Sequence, residues 1–110
     1  MNVIEFRVKG SSSEPYEVVF TKTKHNALKA KCTCPAGSFG RHCKHRFNIL
    51  DGQSEGIVSE NLEQVKEVVS WIEGSELQAT LKTIKELEIQ AVRIKRELSK
   101  SKNQIAKALN

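Results

Sequence analysis

Bulky side chains are scarce in this chain. Its 110 residues include four Phe, one Tyr and one Trp, few for a small domain that must bury enough apolar surface to offset chain entropy without a metal, a disulfide or a partner. Cysteine is scarce as well, and three cysteines cannot all pair within one chain. Cys32 and Cys34 are moreover too close for an easy disulfide, which argues against a disulfide framework and for a reducing compartment, cytoplasmic or nuclear. No run approaches 18 apolar residues, and Met1-Asn2-Val3-Ile4-Glu5-Phe6-Arg7 carries an acidic residue in its first apolar run with no small-residue cleavage pattern. Neither a membrane span nor a signal peptide is expected. Phosphate-binding Gly-rich loops, nucleotide motifs, internal repeats and low-complexity tracts are all missing, and no acidic residue lies close enough to the cysteines to nominate as a general base. A non-enzymatic protein without a small-molecule substrate is expected.

Positive charge is plentiful but uneven. Residues 1–50 carry nine Lys/Arg against three Glu, residues 51–76 one Lys against seven Asp/Glu, and residues 77–110 eight Lys/Arg against three Glu. Basic, acidic and basic thirds fit either a nucleic-acid footprint or charge complementarity between segments that pack together.

The hydrophobic pattern changes period along the chain. Ile4, Phe6 and Val8 alternate with Glu5, Arg7 and Lys9, as in a strand with one buried face. A turn-rich loop over residues 10–15 separates them from Tyr16, Val18 and Phe20, and a basic turn over residues 22–26 precedes Leu28, Ala30 and Cys32. A third strand would deliver Cys32 and Cys34 from one face, since residues two apart point the same way. Residues 35–40 read as a loop. Cys43-Lys44-His45 opens a short helix to Leu50, with Phe47 and Leu50 expected to cover the sheet.

Gly52 and Gly56 mark a linker at residues 52–58, dividing a module of residues 1–51 from an amphipathic helical region of residues 59–110. There Leu62, Val65, Val68, Val69 and Ile72 recur at helical spacing from about residue 59 to Gly74, with Trp71 expected to edge the packing or mark an interface. Ser75 and Gln78 form a capping box for a second helix over about residues 75–98, carrying Leu77, Leu81, Ile84, Leu87, Ala91, Ile94 and Leu98. Residues 99–103, rich in Ser and Lys, read as a helix end or frayed segment. The fold class is therefore α+β: a three-stranded ββα module followed by a helical hairpin or a coiled-coil seam, with homodimerisation or docking of a protein partner through residues 59–98.

The chemistry concentrates in fourteen residues. Cys32-Thr33-Cys34 and Cys43-Lys44-His45 together offer three thiolates and an imidazole, the donor set of a closed tetrahedral zinc site. Each ligand pair spans one edge of the tetrahedron, and Lys31, Arg41, Lys44 and Arg46 offset the net charge of three thiolates around Zn²⁺. His42 is an alternative to His45, and His25 reads as a surface residue.

Cys32-x-Cys34, Pro35, a Gly-containing spacer and Cys43-Lys44-His45, preceded by Tyr16-Glu17-Val18-Val19-Phe20, resemble the SWIM zinc finger (Cys-x-Cys, spacer, Cys-x-His) over about residues 3–51. The resemblance implies one structural zinc, held by Cys32, Cys34, Cys43 and His45, in a ββα module that binds DNA or protein. Lys29, Lys31, Arg41, Lys44 and Arg46 would then contact phosphates, with Phe39 at the loop tip stacking on a base of DNA or RNA. The alternative is a protein–protein adaptor with a solvated basic face.

Overall fold

The computed structural model describes residues 2–110, and the chain divides into two compact units, one ending at Gln78 and the other spanning Ala79–Asn110. Strands β1 (Asn2–Val8), β2 (Tyr16–Lys22) and β3 (Leu28–Cys32) form an antiparallel sheet in the order β1-β2-β3. The helices that follow are α1 (Pro35–Ser38), α2 (Lys44–Leu50), α3 (Gln64–Ile72) and α4 (Gln78–Leu109).

The period-two pattern sets the sheet's faces as expected. Phe6 lies opposite Val18, Ile4 opposite Phe20 and Val18 opposite Cys32, so one face stacks Ile4, Phe6, Val8, Val18, Phe20, Leu28 and Cys32 into the core. Phe6 and Phe20 meet edge to face with ring centroids 6.1 Å apart, an arrangement worth about 1 kcal/mol beyond the area buried. The turn into β3 places Asn26 at φ 60, a left-handed conformation that Asn tolerates better than most residues.

Three features depart from the sequence reading. On α2, Ile49 is buried and Phe47 is turned outward. His45 is held in the core by its place beside the cysteines, and Ile49, one helical turn on, shares its face, whereas Phe47 lies about 200° round the helix. On α3 the buried residues are Val65, Val68 and Trp71, while Leu62 precedes the helix and is exposed, as is Val69. The helix begins at Gln64, and its short inner face runs through 65, 68 and 71, placing the indole in the core rather than at its margin. α4 continues through Ser99–Asn103 to Leu109, because that segment contains neither Gly nor Pro and the flanking turns propagate helix across it at small cost.

Residues 56–61 lie along the outer edge of β1. Ile57 bridges Val8, Lys9 N donates to Gly56 O at 2.8 Å and Val58 N to Arg7 O at 2.8 Å. Arg7 N donates to Ser59 Oγ, and Asn61 Nδ2 donates to Glu5 O. The end of the stretch read as a linker and the start of the one read as helical thus occupy backbone groups that an edge strand would otherwise leave open.

Candidate metal centre

Three elements converge on the cysteines and His45. Cys32 is the last residue of β3, Cys34 caps α1, Cys43 precedes α2 and His45 sits in the first turn of α2. All four are buried, and their donor atoms lie within 4.8 Å of one another. Cys32 Sγ and His45 Nδ1 are 3.8 Å apart. A tetrahedral ion with bonds of about 2.0 to 2.3 Å needs donors about 3.5 to 3.8 Å apart, so the cluster fits one metal ion. None of the cysteines is in a disulfide.

The local backbone is shaped to deliver these donors. Gly37 N donates to Cys34 Sγ at 3.3 Å, which draws the turn of α1 over the sulfur. A Cβ on Gly37 would lie 2.5 Å from Cys32 O, so only glycine permits this approach of α1 to the end of β3. Thr33 ties the intervening residue to the sheet, its Oγ1 accepting from Glu17 N at 2.9 Å and its own N–H donating to Glu17 O at 3.1 Å.

Arg46, expected from sequence only as one of several cations near the sulfurs, is bonded directly to the cluster and to two backbone carbonyls. Its Nε donates to Cys43 Sγ at 3.2 Å, its Nη1 to Ala30 O at 3.2 Å and its Nη2 to Arg41 O. The guanidinium thus joins α2, β3 and the loop before Cys43 while placing positive charge beside the sulfurs. Burial alone would raise the Cys43 pKa, but hydrogen bonds from the Arg46 backbone N–H and guanidinium, one from Cys34 and the Arg46 charge together hold it below the ordinary thiol value. Cys32 is pushed up to about 12, mainly by burial and further by the neighbouring sulfurs. His45 is lowered by burial and by the Lys44 charge, which keeps the imidazole in the neutral form that ligates a metal.

His45 tests whether the site suits a metal. It is 9% exposed, its ring is tilted against Tyr16, and Nε2 is buried without a hydrogen-bond partner. An unpaired buried nitrogen costs about 1 to 3 kcal/mol, and a metal bond at Nδ1 is an interaction large enough to offset it. His42 is exposed and lies 6.0 Å from the Phe47 ring, outside the cluster.

The other residues singled out from sequence are spread over β3, the loop between α1 and α2, and α2 itself. Lys29 and Lys31 are exposed on β3, on the face opposite Leu28 and Cys32, and Lys29 Nζ is 3.8 Å from Glu76. Phe39 is 79% exposed just after α1, and Arg41 and Lys44 are exposed on either side of Cys43. Arg41, His42, Arg46, Phe47 and Leu50 line a cavity of about 300 Å³ with Leu28 and Leu77. No helix among the described residues is long and apolar enough to cross a membrane. No protein family, curated protein or solved structure matches this chain.

Proposed function

We propose that Cys32, Cys34, Cys43 and His45 hold one structural Zn²⁺ in a non-enzymatic, SWIM-like module, and that this module binds DNA or RNA in a reducing, cytoplasmic or nuclear compartment. The observation that carries the zinc reading is the burial of all four donors in one cluster. Three thiolates and an imidazole fill a tetrahedral sphere, leaving no position for a substrate, so the ion would act as a staple for a core with few large side chains.

Exposed Phe39, with Arg41 two positions on in the chain and Lys44 also exposed, supports nucleic-acid binding, offering a ring able to stack and cations suited to phosphates. Arg46 stands apart from this group, since its three guanidinium nitrogens are engaged inside the protein. C-terminal α4 would serve dimerisation or docking. The test is binding of single- and double-stranded DNA and RNA by the zinc-loaded protein across a salt series. Affinity should fall steeply with salt, and Phe39→Ala with Arg41→Glu should weaken it at least tenfold with zinc content unchanged. Absence of binding to all four at low salt would leave the protein-adaptor reading in its place.

A further inference from the structure

From Lys85 to Asn110 every side chain of the C-terminal segment is exposed, although α4 is a 32-residue helix, about 48 Å long at 1.5 Å per residue. Ile84, Ala91, Leu98 and Ile105 recur at strict seven-residue steps, with Leu87 and Ile94 three residues after the first two. Leu98 is 53% exposed, Ile105 63% and Ile94 65%. These are the a and d positions of a heptad seam, and the repeat crosses the Ser99–Asn103 segment without a phase shift. A seam this long and apolar needs cover.

We propose that the cover is a second copy of the same chain, with the two α4 helices paired parallel and in register. This rests on reading α4 as an association element. Parallel pairing stacks each apolar layer on its own copy, Ile84 on Ile84 and Leu98 on Leu98, and places only Ser101 as a polar layer between Leu98 and Ile105. It also sets Glu97 beside Lys102 of the second copy twice over, with Gln90 facing Lys95 and Thr83 facing Glu88, so no like charges meet across the seam. Antiparallel pairing at near-full overlap gains Glu88 against Lys95 but sets Ile84 against Ser101 and Ile105 against Thr80. In the first heptad Ile84 at a with Leu87 at d is the two-strand pattern. Ile89 and Val92 fall outside the seam and remain exposed in such a pair.

Sedimentation equilibrium of the full chain, without nucleic acid, tests this through Glu97→Lys and Lys102→Glu. The unsubstituted protein should sediment at twice 12.4 kDa. Each single reversal should raise the dimer dissociation constant about tenfold, and an equimolar mixture of the two variants should regain the original affinity by forming mixed dimers. A monomer at all concentrations, a trimer, or a dimer indifferent to both reversals would each overturn the proposal. Because nucleic-acid binding is measured separately, failure here leaves the proposed function standing, and the reverse holds as well.

Discussion

Arg46 joins the metal cluster to the rest of the module through one side chain. Replacing it with Ala removes one donor from each of Cys43 Sγ, Ala30 O and Arg41 O. The expected loss is about 2 to 3 kcal/mol of unfolding free energy, together with weaker zinc retention in a chelator competition. Arg46→Lys should recover only part of it, since an ammonium cannot reach three acceptors in the guanidinium's plane. Unchanged urea midpoint and zinc retention in Arg46→Ala would refute the assignment. The four donors themselves were legible from spacing and donor type, although the strand expected to deliver both Cys32 and Cys34 ends at Cys32, and Cys34 is placed by the cap of α1. Arg46 was legible only as one of four cations near the sulfurs, not as the side chain that bridges three acceptors. It lies in a basic run that reads as a solvated face, and its partners Ala30 and Arg41 become neighbours only when α2 folds back on β3.

At the scale of elements, the strands were the readable part, since a half-buried sheet imposes alternation that few other structures share. The short helices were less so, because seven to nine residues make only two turns and several faces look equally apolar. For α2 the tie between His45 and the cysteines decides the rotation. Ile49→Ala should therefore cost about 2 to 4 kcal/mol and Phe47→Ala less than about 1 kcal/mol, measured by denaturant unfolding of the two variants. Equal losses, or the reverse order, would mean that the helix is set differently about its axis. For α3 the inner face became clear only from packing, where Trp71 joins the buried core in place of Leu62 and Val69, which a periodic count had placed there. In α4 the heptad was visible through Leu98 and again from Ile105, but the Ser/Lys-rich segment between them read as a helix end.

For the molecule as a whole, the core that holds the three cysteines also holds Val65, Val68 and Trp71. Metal removal should therefore be felt well beyond the metal-binding stretch. Trp71 is the single tryptophan and only 5% exposed, so its emission reports on this core without a label. Chelation of the zinc-loaded protein should shift that emission to longer wavelength, in one cooperative step with loss of the strand signal in circular dichroism. Emission unchanged after complete removal of the metal would show that the core stands without it. The uneven charge of the chain has one visible outcome in the Lys29–Glu76 pair, where the first basic third meets the acidic third. Exposed as it is, that pair contributes at most about 1 kcal/mol.

The strand edge covered by residues 56–61 decides which portion of this protein is transplantable. A fragment of residues 1–51 keeps every metal donor, yet it presents β1 with its outer hydrogen-bonding groups bare and lacks the helix that carries Trp71. Such a fragment should take zinc and still run on a sizing column as strand-exchanged oligomers, whereas residues 1–78 should run as a discrete species. A monodisperse, zinc-loaded 1–51 fragment would show the covering segment to be dispensable. Otherwise the graftable cassette is set by where a neighbouring backbone seals the sheet, some distance past the last residue that touches the metal.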